Sequence, residues 1–229
     1  MEKTKIKVIV ADNTDATSYI DFLKLAFDVE VLKHSEMFKN KIDLVLFTGG
    51  EDVDPSFYGE TKNKKTFSNL QRDEKEFDVA NDLRNVPKLG ICRGAQFLTV
   101  FNGGKLIQHV ENHTSEHLVT IGLSTYVTTS THHQMMYPFK LEPNLYEILG
   151  HSTYFLSDQY LNGDNENINL PDNFLEPEIV YYPLSHSLCI QGHPEHSNAS
   201  DDFKVKCLQL IENYLIPHKS NQEKSKFEF

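Results

Sequence analysis

"KLGICRGAQFLTVFNGG", residues 88–104, decides how the chain is built. A short apolar run ends at Cys92, and after Arg93 and Gly94 the segment AQFLTVF has helical apolar spacing, closed by Asn102, Gly103 and Gly104. A strand that turns this abruptly into a helix crowds its own backbone, so small residues are needed two positions before and after the turn residue. Gly90-Ile91-Cys92-Arg93-Gly94 has that form, with cysteine at the point of the turn.

The segments around it follow the same plan. "IDLVLFTGG", residues 42–50, is a continuous apolar run ended by paired glycines, as expected of a strand buried on both faces of a parallel sheet. "KIKVIV", residues 5–10, reads as a strand, and "TSYIDFLKLAF" behind it as a helix with Tyr19, Ile20, Phe22, Leu23 and Phe27 on its apolar face. "QRDEKEFDVANDLRN" reads as a charged helix before the strand that ends at Cys92. Alternating strands and helices with short turns predict an α/β fold: an open, mostly parallel sheet flanked by helices on both faces.

The second half is β-rich, with "HLVTIGL", "YVTTSTHH" and "EIVYYPLSHSLCIQGHPE" before a last amphipathic helix in "DDFKVKCLQLIENYLI". The Asn-, Asp- and Pro-rich stretch from Leu156 to Glu178 reads as a surface loop or insertion. Residues 1–216 are expected to form a single domain, and residues 217–229 a mobile tail.

With 22 Lys and Arg against 33 Asp and Glu, the net charge of -11 argues against binding to nucleic-acid phosphates or anionic membranes. The cysteines Cys92, Cys189 and Cys207 match neither a disulfide framework nor a zinc-knuckle spacing, which suggests a reducing compartment. No secretory leader is read at the N-terminus, and no run approaches the roughly 18 apolar residues of a membrane span. A cytoplasmic protein is expected.

Taken alone, Cys92 reads either as a small buried hydrophobe or as a nucleophile at a helix N-terminus. There, unpaired backbone N–H groups, with the charge of Arg93 added, stabilise negative charge on sulfur. A cysteine nucleophile needs a base, an orienting group for that base, and donors for an oxyanion. In "CIQGHPEH", His193 and Glu195 follow a strand at two-residue spacing, which sends both side chains to one face if the chain stays extended. Gly49 and Gly50 can turn a backbone N–H outward at the carboxyl edge of the sheet, where ligands bind in open α/β folds. With the N–H of Arg93, that of Gly50 would make an oxyanion hole. His113 and His117 stand four apart, but with no third ligand implied and a β-rich setting they are not read as a metal site.

These stretches in this order resemble the class I glutamine amidotransferase-like superfamily, and within it the γ-glutamyl hydrolase-like peptidases (peptidase C26), the group that includes γ-glutamyl-γ-aminobutyrate hydrolases. The phrases that carry the likeness are "TGGEDVDPSFYGE", "GICRGAQFLTVFNGGKLIQH" and "STHHQ", from about Ile42 to His196. The resemblance implies a flavodoxin-like sheet, a Cys92–His193–Glu195 triad, and Gly50 and Arg93 as oxyanion donors. It implies that Gln96 helps hold the glutamyl group, with Gly49, His133 and Gln134 bordering the substrate. For His132 and His133 structural and contact roles both stand open. The chain departs from the family at Gly192, where an aromatic is usual, so that this wall of the pocket is either more open or filled from elsewhere. Ser130-Thr131 also replaces the usual Asn-Ser-x.

The activity implied is hydrolysis of a γ-glutamyl amide through a thioester, with no cofactor and no metal. The amine released is left open among γ-aminobutyrate, a polyamine derivative, a peptide and an amidated nucleotide. Two other readings remain: a glutaminase subunit that passes ammonia to a separate synthase partner, and a catalytically silent module on the same fold. A homodimer is a further expectation.

Overall fold

The computed structural model describes residues 2–12 and 14–216; the expected mobile tail at 217–229 lies outside the described residues. In chain order the strands are β1 (Thr4–Val10), β2 (Phe27–Val31), β3 (Leu44–Phe47), β4 (Lys88–Ile91), β5 (Lys105–Ile107), β6 (His109–Val110) and β7 (His117–Ile121). They continue with β8 (Ser124–Thr128), β9 (Met135–Tyr137), β10 (Glu147–Ser152), β11 (Tyr160–Leu161), β12 (Pro177–Tyr182) and β13 (Ser187–Ile190). The helices are α1 (Thr17–Lys24), α2 (Leu70–Asp82), α3 (Arg93–Phe101) and α4 (Asp201–Leu215).

Among the described residues nine strands form one sheet in the order β2-β1-β3-β4-β13-β12-β10-β7-β8. Its first half, β2-β1-β3-β4-β13, is parallel, and from β13 to β8 every pair is antiparallel. The β-rich second half therefore extends the same sheet, and the expected α/β architecture stands. Alternation along the strands sorts the core into two layers. Leu44 and Leu46 pack with α1 and α4, whereas Val45 and Phe47 pack with α2 and α3 on the opposite face.

Two expectations need correction. Phe27 does not belong to the first helix: α1 ends at Lys24, and Phe27-Asp28-Val29-Glu30-Val31 forms β2, parallel to β1 at the sheet edge. Residues 156–178 are not merely a surface loop. β11 pairs with β6, and Phe174 is buried in a third apolar cluster with Tyr137 and Tyr160.

The register then determines what meets at the carboxyl edge. Ile91 pairs with Ile190 and Gly90 with Phe47, so the residues that follow β3, β4 and β13 emerge side by side. Cys92, His193 and the Gly49-Gly50 turn are those residues.

Candidate active site

Cys92 is the N-cap of α3 and sits at φ 54°, ψ -113°. A non-glycine residue in that region is strained, and such strain is held where the surrounding structure over-determines it. Here the cysteine N–H donates to the carbonyl of Ile190 at 2.8 Å, while its carbonyl accepts the first bonds of α3 from Ala95 and Gln96. The flanking glycines are needed for close approach. A Cβ on Gly90 would lie 2.4 Å from the Gly94 carbonyl oxygen, and one on Gly94 would lie 2.1 Å from that of Phe47. At the start of the helix the N–H groups of Arg93 and Gly94 have no intrahelical acceptor.

His193 and Glu195 follow β13. His193 Nδ1 and Glu195 Oε1 are 2.7 Å apart, and the backbone N–H of the histidine donates to the carbonyl of Thr129 at 2.8 Å. Both side chains are buried. Burial works against an imidazolium, but the nearby Cys92 and Glu195 outweigh it and hold His193 up at about 10. The imidazole of His196 stacks on that of His193, ring centroids 4.2 Å apart, and burial together with the charge of His193 lowers the pKa of His196.

The residues singled out from the sequence divide by where the fold puts them. Cys92, His193, Gly50, Arg93, Gln96 and His133 line one cavity of about 390 Å³. Gly49 stands at its back: its N–H donates to the hydroxyl of Tyr19 at 3.0 Å, and a Cβ there would lie 3.5 Å from His193 Cε1. Gln96 Nε2 donates to the carbonyl of Gln134 at 3.0 Å. Gln134 itself does not face the cavity. Its side chain is fully buried and donates to Thr66 Oγ1 at 3.0 Å, so it reaches the site only through that backbone carbonyl. His133 stands at the mouth with Nε2 3.2 Å from Asp52 Oδ1. The side chain of Arg93 is not turned toward the sulfur as expected: its guanidinium is buried in ion pairs with Asp73 and Glu76 of α2. Only its backbone serves the cavity.

Gly192 has a physical explanation. A Cβ at this position would lie 2.0 Å from Thr128 Oγ1, so the end of β8 fills the space and the wall is not open.

Several residues escaped the sequence reading. Thr131 Oγ1 lies 2.9 Å from His193 Nε2, on the nitrogen opposite Glu195. Tyr19, raised well above its ordinary pKa by burial and then by the charge of Glu195, ties α1 to the Gly49 turn. Arg72 braces that turn from α2, donating to the carbonyl of Gly49 and pairing with Asp12, Glu51 and Glu76. The apolar spacing in α2 could have flagged a buried face, but three of the buried positions on it carry charge.

Comparison with known proteins agrees with this architecture. The family model of peptidase C26 matches residues 22–151. The glutamine amidotransferase-like protein YvdE of Lactococcus lactis is 29% identical over 211 residues, 87% of this chain and 88% of that one. Protein NtpR of Enterococcus hirae is 32% identical over 97 residues, 41% of each chain. Among solved structures, a protein described as a GMP synthase component from Thermoplasma acidophilum superposes with a TM-score of 0.61 at 16% identity, covering 96% of this chain and 98% of that one. At that identity the likeness speaks for the fold alone. Among the described residues no helix is long and apolar enough to cross a membrane.

Proposed function

Since the chain belongs to the peptidase C26 family of class I glutamine amidotransferase-like proteins, we propose that it is a cysteine hydrolase that cleaves γ-glutamyl amides through a glutamyl thioester. One observation carries the reading: a strained Cys92 at the start of α3 faces a buried His193–Glu195 pair across a cavity at the carboxyl edge of the sheet. In this scheme the thiol proton of Cys92 already rests on the imidazole of His193, and the thiolate attacks the γ-carbonyl carbon. The C–O double bond opens to an oxyanion received by the N–H groups of Gly50 and Arg93. As the oxyanion collapses, the C–N bond breaks and His193 passes its proton to the departing amine. A water then gives a proton to the same imidazole and attacks the thioester, and the C–S bond breaks to release glutamate and restore the thiolate–imidazolium pair. Glu195 holds the imidazole through Nδ1 and balances its charge.

Glu51 and Asp52 lie at the cavity wall beside Gly50. Their carboxylates favour the α-ammonium of a glutamyl group and a cationic or neutral amine, and disfavour an amidated nucleotide.

The test is glutamate release by the purified protein from a panel of γ-glutamyl amines beside free glutamine, with Cys92→Ala as control. Release from one or more conjugates, little from glutamine, and none from the variant is expected. Release from glutamine alone would favour the other reading, a glutaminase whose ammonia goes to a separate synthase. Undiminished turnover by Cys92→Ala would overturn the mechanism.

A further inference from the structure

Against the wall of the cavity, which His132 helps to line, lies a second cluster that the proposed reaction does not use. His113, from the loop after β6, His117, the first residue of β7, His132, from the loop after β8, and Glu178 of β12 bring one ligand atom each within 4.8 Å of one another. All four are buried, His113 completely and Glu178 to 1% exposure. The local sequence offers only the His113–His117 pair; the sheet supplies His132 and Glu178 from distant positions.

The hydrogen-bond directions argue that these atoms are arranged as ligands. His117 Nδ1 lies 3.1 Å from the carbonyl of Ser115, and His132 Nδ1 lies 2.8 Å from that of Gln134. A carbonyl oxygen only accepts, so Nδ1 carries a proton in each ring, and a neutral ring then keeps its lone pair on Nε2. Both Nε2 atoms are aimed at Glu178 Oε1, at 2.9 Å and 3.6 Å, and His113 Nδ1 approaches the same oxygen at 3.4 Å. Positive charge is required where they meet the carboxylate: neutral rings need a cation between their lone pairs and Glu178, and without one the rings must carry second protons. The separations suit one: ligands about 2.0–2.1 Å from a tetrahedral zinc stand roughly 3.3–3.5 Å apart. Among the described residues both ring nitrogens of His113, His132 Nε2 and Glu178 Oε2 have no hydrogen-bond partner, although each is buried. The second layer is also that of a metal centre, with backbone carbonyls fixing two imidazole tautomers and Glu176 3.3 Å from His113 Nε2.

We propose that His113, His117, His132 and Glu178 bind one divalent transition-metal ion of the zinc class as a closed structural centre. Three neutral imidazoles and one carboxylate form a donor set that suits zinc and fills its coordination, leaving no position for a substrate. The ion would tie the loops at residues 111–116 and 129–134 to β12. The second of these loops carries Thr131, which contacts His193, and His133, which lines the cavity.

The test uses the full chain, stripped with a chelator and dialysed. Zinc added to it should bind at one equivalent and raise the melting temperature, and cobalt(II) in its place should give the intense visible absorption of a tetrahedral site. Glu178→Gln and His117→Gln should each weaken zinc binding by at least about tenfold. Should those variants fail to fold, the cobalt spectrum and zinc stoichiometry of the unmodified chain still decide the matter. His193→Ala should bind zinc as the parent does, which separates this centre from the catalytic histidine. No saturable zinc binding by the unmodified chain would overturn the proposal and leave the cluster as a protonated histidine–carboxylate network. Zinc binding lost in His193→Ala but retained in Glu178→Gln would overturn it equally.

Discussion

Arg72 Nη2 donates to the carbonyl oxygen of Gly49 at 3.0 Å. The same guanidinium reaches Thr48 Oγ1 at 3.1 Å, Asp12 at 2.9 Å and Glu51 at 3.1 Å, so one side chain from α2 fixes the peptide units that lead into Gly50. Arg72 touches no reacting atom in the proposed scheme and is a positioning residue. Arg72→Met should lower kcat with little change in KM, because the Gly50 N–H acts on the oxyanion that develops in the transition state. The ceiling is the loss of one such donor, about 10²–10³-fold. Arg72→Lys should recover part of the rate. Removing one partner from a buried ionic network also costs about 3–5 kcal/mol, so kinetics belong at a temperature where melting curves show every variant folded. An unchanged kcat in folded Arg72→Met would remove the loop from the mechanism.

Gly50 offers a more local probe of the same turn. It sits at φ +144°, in the region that favours glycine, and an added Cβ would lie 2.1 Å from Arg72 Nη1. Arg72 is held by its ion pairs and cannot swing aside without breaking them. Gly50→Ala is therefore expected to misplace the N–H and reduce kcat by up to about 10²–10³-fold. The turn stands at the edge of the sheet, so circular dichroism should remain that of the parent. Full activity in the variant would assign the oxyanion to other donors.

The proton on His193 can be followed directly. Its pKa is raised from 6.5 to about 10, burial acting downward and the neighbouring Cys92 and Glu195 acting upward more strongly. A histidine whose native pKa is raised binds its proton more tightly folded than unfolded. The stability it contributes is therefore fully present below pH 6.5 and is lost as pH rises through about 10. In NMR spectra of the imidazole nitrogens, His193 should remain protonated through neutral pH in the parent. In Cys92→Ala its titration should move down, because the largest upward influence has been removed. An unshifted midpoint in that variant would place the sulfur too far from the ring to exchange a proton with it.

The site was more legible in the sequence than its supports. Cys92, His193 and the paired glycines each end a buried parallel strand, and strands that end together bring their next residues together. Local pattern and the rules of α/β sheets were therefore sufficient. The failures share a physical cause. Asp28 and Glu30 alternate with Phe27, Val29 and Val31 as an edge strand requires, but the run is short enough to read as the end of the preceding helix. Arg72, Asp73 and Glu76 look like a solvated face, yet they are buried because Arg93 of α3 meets them from the other side. Glu178 lies 61 residues from His117, and only the antiparallel half of the sheet brings them together. What depended on pairing between distant segments had no local signature.

Lys88, at the start of β4, carries the last prediction. Its side chain is fully buried, and Nζ donates to the carbonyls of Leu83, Arg84 and Val86 at 3.0 Å each, satisfying the turn that follows α2. Burial alone lowers its pKa from 10.5 to about 8. Between those values the unfolded chain holds a proton that the native one releases, so this residue makes stability rise with pH across that window. The contribution is complete above 10.5 and is lost as pH falls through about 8. Lys88→Met has no such proton. Urea unfolding of both proteins from pH 7 to pH 10.5 should show the stability of the parent, relative to that of the variant, growing steadily through the upper part of the range. A constant difference would mean that Lys88 keeps its charge in the folded protein throughout, held by the three carbonyls against the cost of burial.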